Sequence, residues 1–373
     1  MSRDAHSGGR PCEPCLRRSW LIARLAAHIE LAWSARRGRA ALLGLHDLAL
    51  VDALAGDRRD GILAEYERFD AAAARRRCTA AGVAGLCRCD ERYPAALEDL
   101  SDPPAVVYVR GDLRRLERAL ARDCVAIVGA RRASPYGLAQ ARGLGRGLAA
   151  AGLAVVSGMA LGVDAAAHVG ALEAGGATLA VLACGPERAY PASKRRLHAQ
   201  IVAHGVAISE LPPGTLPRRW CFPARNRIIA ALGQATVVVE AGERSGSLIT
   251  AGQAADLGRD VGAVPGLVTA PLAAGANGLI ADGARLVRGP RDVLELLFGA
   301  AAETLAKAAS DDRRDGLAPD LRVLLERVGA GCDTLAALTD GEASVDATLA
   351  GLAQLELRGL VRRAAGGRYV ATA

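Results

Sequence analysis

The chain has 373 residues, 51% of them hydrophobic, and a net charge of +7. No stretch reaches the ~18 consecutive apolar residues that a bilayer span needs, and Met1 to Pro11 is polar with no signal-peptide core, so no membrane association and a cytoplasmic location are expected. The positive balance favours an anionic partner. All but Lys194 and Lys307 of the 47 basic residues are arginine, a residue suited to bidentate phosphate contact, while an aromatic content of 3% argues against extensive base stacking.

Residues 1–86 read as a helical N-terminal module. Trp20-Leu21-Ile22 to Trp33 and then Leu42 to Leu54 place apolar residues at helical spacing. The clusters Arg36-Arg37-Arg39 and Arg75-Arg76-Arg77 read as solvated helix faces. Nine cysteines in a chain expected in a reducing compartment do not point to disulfides. Cys124, Cys184 and Cys221 sit in apolar or motif contexts and read as core thiols. Cys12-x-x-Cys15 and Cys87-x-Cys89 flank the module and could give four thiolates to a structural zinc; reduced, unpaired cysteines are the competing reading. No other cofactor is expected.

Residues 87–300 change character. Runs rich in Val and Ile at Cys124 to Gly129, Leu153 to Ser157, Ala177 to Ala183, Val206 to Ser209, Thr236 to Glu240 and Asp260 to Val264 read as strands. Helical patterns lie between them at Gly137 to Ala151, Val163 to Ala174, Arg225 to Leu232 and Ser247 to Leu257. Apolar strands alternating with helices predict an α/β fold, a Rossmann-like, doubly wound and mostly parallel sheet.

In such a sheet, ligands bind beyond the carboxyl ends of the strands. Three loops there are glycine-rich. The first strand runs into Gly129-Ala130-Arg131-Arg132, where the arginines and the next helix N-terminus favour an anion. The second runs into Ser157-Gly158, followed by Asp164 as a helix N-cap and His168 as a structural histidine. The fifth runs towards Ser245-Gly246-Ser247, hydroxyls and N–H groups at a helix start. Lys194-Arg195-Arg196 and Arg225-Asn226-Arg227 bring basic charge to the same region, with exposed helix faces and pairing to Glu210 or Glu240 as the structural alternatives. There is no GxxxxGK[ST], no strand-following GxGxxG and no G-x-S-x-G elbow, so catalysis is not expected.

Residues 301–319 read as a linker, alanine-rich and then charged. Residues 320–373 read as a winged helix: Leu321 to Val328, Leu335 to Leu338 and Val345 to Leu357 as helices, then a hairpin with Arg358, Arg362, Arg363 and Arg368 on or near the wing.

Taken together, these loops resemble the DNA-processing protein A family, also called Smf. The matching blocks run in order from Tyr93-Pro94 and Asp102-Pro103-Pro104 through Val125 to Arg131 and Ser157 to Asp164. They continue with Tyr190-Pro191, Ser209-Glu210, Phe222 to Ile229, Ser245 to Ala251, Val264-Pro265-Gly266 and Gly275 to Ile280. The resemblance implies a homodimeric, non-catalytic protein that holds single-stranded DNA, protects incoming strands in natural transformation and helps load the RecA recombinase. It also implies phosphate contacts led by Arg131, followed by Lys194 to Arg196, Arg225-Asn226-Arg227 and Ser245 to Ser247. The first turn departs from the family pattern, with Ala130 where a hydroxyl residue is common. Two alternatives stand beside this reading. One is a phosphoribohydrolase-like enzyme, whose Pro-Gly-Gly-x-Gly-Thr-x-x-Glu loop is absent; the other is a duplex-DNA regulator built on the winged helix.

Overall fold

The computed structural model describes residues 10–34, 42–302, 317–339, 344–357 and 360–371. Arg36-Arg37-Arg39, most of the 301–319 segment and Arg358 lie outside the described residues. The chain forms two compact units, Met1–Leu297 and Phe298–Ala373.

The larger unit is built on a nine-stranded sheet. Its strands are β1 (Ala84–Cys87), β2 (Val106–Gly111), β3 (Cys124–Val128), β4 (Ala154–Ser157), β5 (Thr178–Val181), β6 (Val206–Ser209), β7 (Ala235–Val238), β8 (Asp260–Ala263) and β9 (Arg285–Leu286). Their spatial order is β1-β2-β6-β5-β4-β3-β7-β8-β9. β6 through β9 pair in parallel, while β2 runs antiparallel to both β6 and β1. Every residue of β3 to β7 is buried, with no polar alternation, because helices cover both faces.

Among the described residues five α-helices, α1 (Glu13–Arg24), α2 (Ala26–Ser34), α3 (Asp47–Leu54), α4 (Arg59–Glu67) and α5 (Ala71–Ala80), precede the sheet. Leu21, Leu25, Ile29, Leu50 and Ile62 pack into one core with Trp220 of the α/β body, so they cover part of that body. Between strands run α6 (Leu113–Leu120), α7 (Pro135–Ala150), α8 (Val163–Glu173), α9 (Arg195–His204), α10 (Cys221–Leu232), α11 (Gly246–Asp256), α12 (Ala274–Ala281) and α13 (Pro290–Phe298). The six strands expected from sequence are all present; β1, β2 and β9 are additions.

The smaller unit contains α14 (Pro319–Gly329), α15 (Leu335–Leu338), α16 (Val345–Leu357) and the antiparallel pair β10 (Val361–Arg363) and β11 (Tyr369–Ala371). Leu321, Leu325, Leu338, Leu352, Leu355 and Tyr369 form its core. No helix among the described residues is long and apolar enough to cross a membrane.

Candidate functional site

The strand order reverses at β3. From there the chain winds outward through β4, β5 and β6, then returns to lay β7 on the other flank of β3. Such a reversal leaves a crevice beyond the carboxyl ends of the strands. A cleft of about 560 Å³ opens there, lined by Gly129 and Arg131 after β3, Arg225 and Asn226 of α10, and Ser245 and Gly246 where α11 begins.

Two helix N-termini meet this edge, and they differ. At α7 the Ser134 hydroxyl accepts from Gly137 N–H at 3.1 Å. Ser134 in turn gives its N–H and its hydroxyl to the buried Glu240 carboxylate, at 2.9 and 2.5 Å. Gly137 is glycine because a Cβ there would collide with that carboxylate. The expectation that this turn offers the N-terminus of α7 to an outside anion is therefore corrected: Glu240 already supplies the negative charge. At α11 the Ser245 hydroxyl accepts from Ser247 N–H at 3.4 Å and lies 2.7 Å from the Ser247 hydroxyl. Among the described residues no carboxylate is hydrogen-bonded to this end. Asn226 ties α10 to it by donating to the Gly246 carbonyl at 3.2 Å.

The arginines divide in the same way. Arg227 is buried, and all five of its N–H donors are used. Its Nε donates to Asp102 at 2.9 Å, its two amino groups to Glu210 at 3.0 and 2.7 Å, and the remaining donors to the carbonyls of Ala224 and Asp102. The phosphate contact expected of Arg227 is corrected accordingly, since it has no donor left and does not line the cleft. Arg225 is also buried, donating from Nη1 to the carbonyls of Gly158 and Val181, each at 2.6 Å. It nevertheless lines the cleft floor, and its Nη2 has no hydrogen-bond partner among the described residues. Burial lowers its pKa, opposed by the charge of Asp164.

Ser157 and Gly158 serve this floor rather than the opening. Ser157 is fully buried and donates to the Ile127 carbonyl at 2.6 Å. Gly158 leaves room for the Arg225 guanidinium, which a Cβ would strike. Asp164 accepts from the N–H groups of Gly158 and Ala160 at 3.1 and 3.3 Å, bracing the loop before its helix, and the N-cap of α8 is Gly162. His168 is buried with Nδ1 2.7 Å from the Thr178 hydroxyl; burial holds its pKa down to about 3, so it stays neutral.

Arg131 is the contrast. It is exposed, and among the described residues it makes no ion pair. Its guanidinium carbon lies 5.0 Å from the Phe222 ring centroid, and Phe222 lies 5.5 Å from Tyr190. Arg219, also exposed and without an ion pair among the described residues, lines the same cleft. Arg132 is exposed beside Arg131 but outside the cleft lining, as are Arg195 and Arg196 at the start of α9, and Lys194 just before that helix is half-buried and also outside the lining. Sequence reasoning gave no role to Arg219, Phe222 or Tyr190, although the Arg218-Arg219 pair two residues before Cys221 was a visible signal.

In the smaller unit, Arg363 lies over the Tyr369 ring and Arg368 pairs with Asp333 at 3.1 Å. The four cysteines of the sequence motif do meet: the sulfurs of Cys12, Cys15, Cys87 and Cys89 lie within 4.8 Å of one another. Cys124, Cys184 and Cys221 are buried thiols, each pushed up to about 12 by desolvation.

Comparison with known proteins adds to this geometry. Residues 85–298 match the family described as DNA recombination-mediator protein A. Protein Smf of Synechocystis is 32% identical over 388 aligned positions, covering 94% of each chain. A Mycobacterium tuberculosis relative is 42% identical over 264 residues, which is 69% of this chain but 66% of that protein's length. The crystal structure of DNA processing protein A from Streptococcus pneumoniae superposes with a TM-score of 0.61 at 34% identity, covering 75% of this chain and 95% of the other. A second structure, of DNA processing protein A from Helicobacter pylori and concerned with its single-stranded DNA binding mode, gives 0.52 at 30% identity over 61% and 96% of the two chains.

Proposed function

The chain belongs to the DNA recombination-mediator protein A family, and from that premise we propose that it holds single-stranded DNA by its phosphates along the cleft at the β3/β7 switch point. Arg131 carries the reading. Its charge is exposed and not paired with a carboxylate, and it rests on Phe222, which directs the guanidinium without consuming its donors. The open N-terminus of α11 adds backbone N–H groups and the two serine hydroxyls. Arg219 and the free Nη2 of Arg225 add positive charge within the cleft, and Lys194 to Arg196 extend it along the chain that leaves Tyr190.

Phe222 and Tyr190 form a small aromatic shelf in an otherwise aromatic-poor chain. One stacked base beside a held backbone fits that shelf. The related Helicobacter pylori protein, studied for its mode of binding single-stranded DNA, supports the same ligand. Strand protection, delivery to the RecA recombinase and action as a homodimer belong to this proposal, supported by the family's description as a recombination mediator. No step in it is catalytic. The phosphoribohydrolase alternative lacks its Pro-Gly-Gly-x-Gly-Thr-x-x-Glu loop, and Glu240 is engaged at α7. The C-terminal unit is proposed as an accessory winged helix.

The test is fluorescence anisotropy with labelled oligo-dT and a mixed-sequence oligonucleotide across a salt series. Similar affinity for both is expected, with log K falling by about 0.7 per contacted phosphate for each decade of salt. Affinity that ignores salt would contradict the phosphate mechanism, and release of free base from AMP or CMP would revive the enzyme. A chain ending at residue 318 should keep the single-strand affinity if the winged helix is accessory.

A further inference from the structure

The β1 edge of the sheet carries a side-chain cluster that the DNA cleft does not use. Cys12 is the N-cap of α1 and Cys15 lies in its first turn; Cys87 ends β1 and Cys89 sits in the turn that follows. Cys12 and Cys87 are 75 residues apart in sequence, yet all four sulfurs converge within 4.8 Å of one another. Cys12 Sγ and Cys89 Sγ are 3.9 Å apart. A tetrahedral tetrathiolate zinc with bonds of about 2.3 Å sets its sulfurs about 3.8 Å apart. The cluster is therefore close to that size before any ion is added.

We propose that Cys12, Cys15, Cys87 and Cys89 bind a structural zinc ion that staples the start of α1 to the edge strand β1. Four protein thiolates complete the tetrahedron and leave no open position for a reacting molecule, which makes the site structural. A disulfide needs its two sulfurs about 2.05 Å apart, and all four cysteines are free, with Cys12 and Cys89 Sγ at 3.9 Å. A four-iron iron–sulfur cluster puts each thiolate on its own iron and a two-iron cluster divides the four between two irons, so either spreads the set of sulfurs wider than the 4.8 Å within which they stand here. The Cys12 N–H points at Cys87 Sγ from 3.5 Å, an interaction that stabilises a thiolate. Arg88 lines the pocket beside Cys12, Cys15 and Cys89 and would offset part of the negative charge of a tetrathiolate centre; Glu98 lines it too, and Arg18 there is paired with Asp47 at 2.8 Å.

The staple matters beyond its own corner because α1 reaches into the body. Tyr108 of β2 donates to the Ser19 hydroxyl at 3.0 Å, and Ser19 donates to the Glu210 carbonyl at 3.5 Å. Glu210 is a partner of Arg227. Pinning the first turn of α1 therefore fixes the helix that covers this buried pair. The inference is independent of the DNA reading, since it concerns folding and metal content alone.

Elemental analysis of the full chain, purified under reducing conditions from medium containing both zinc and iron, tests it. One zinc per chain is expected, retained by Cys184→Ser and lost in the Cys12→Ser/Cys15→Ser and Cys87→Ser/Cys89→Ser pairs. Because those pairs could misfold, wild-type protein stripped of metal by a thiol reagent and then reduced is titrated with cobalt(II). The intense visible bands of a tetrahedral tetrathiolate should appear and saturate at one equivalent, and zinc should displace them. Metal-free chain should unfold about 5 °C or more below the zinc form. Wild type purified from zinc-containing medium without metal, iron in place of zinc, zinc retained by the Cys87→Ser/Cys89→Ser protein, or a disulfide found by mass would each overturn the assignment.

Discussion

Arg131 and Arg227 lie in the same α/β unit, and sequence pattern alone sends both to one phosphate-binding edge. The fold treats them oppositely. Arg227 is enclosed by Asp102 and Glu210, with all its donors engaged; Arg131 stands in solvent over an aromatic ring. The helix N-termini repeat the contrast, with Glu240 closing α7 and α11 left open. Basic composition thus marks the region, and carboxylates brought in from elsewhere decide which of its positive ends remain available to a ligand.

Removing Arg227 gives the largest expected effect. Arg227→Ala leaves the buried Glu210 and the half-buried Asp102 without their cation, a change worth about 3–5 kcal/mol, so the thermal midpoint should fall steeply. Arg227→Lys should restore only part of it, because an ammonium offers three donors where five are used. Unchanged stability in Arg227→Ala, with loss of DNA binding instead, would reverse the roles assigned to the two arginines.

The next effect is a pH dependence from the same buried layer. His168 takes a proton at about its ordinary pKa when unfolded but refuses it until about 3 when folded. Its contribution to stability is therefore whole above pH ~6.5 and is lost as pH falls towards 3, up to roughly 5 kcal/mol in all. Chemical denaturation of wild type and His168→Gln over pH 4–8 checks this: the wild-type slope should be the steeper. Parallel slopes would show that His168 is not held neutral.

The two helix caps give the smallest and most selective comparison. Ser134→Ala and Ser245→Ala each remove an N-cap, at about 1 kcal/mol. Only Ser245→Ala should weaken single-strand binding, by a few-fold, because only α11 is open to a phosphate. Equal binding losses in both would mean that Glu240 does not close α7.

Much of this fold was legible in the chain. Runs rich in Val, Ile, Leu and Ala mark β3 to β7 because strands covered on both faces need no polar alternation. β9 was not legible: it is two exposed residues, Arg285 and Leu286, and its pairing to β8 alone defines it. β2 carried a visible signal in Val106-Val107-Tyr108-Val109, and β1 a weaker one in Ala84 to Cys87, but both join the sheet as an antiparallel edge that the alternating strand–helix pattern does not announce. At the site, the loops were identified and their internal division was not. Asp102 reaches Arg227 across 125 positions and Glu240 reaches Ser134 across 106, and no local spacing encodes such pairings. The cysteines are the converse case, where unusual local spacing did point to four residues that the fold gathers.

The most direct test of the central claim is anisotropy with labelled oligo-dT on wild type and Arg131→Ala at low and moderate salt, with thermal midpoints measured on the same samples. The account expects tight, salt-sensitive binding by wild type, and a loss of about tenfold or more in Arg131→Ala at an unchanged midpoint. Wild-type affinity retained by Arg131→Ala, or no single-strand binding by the wild type, would contradict it.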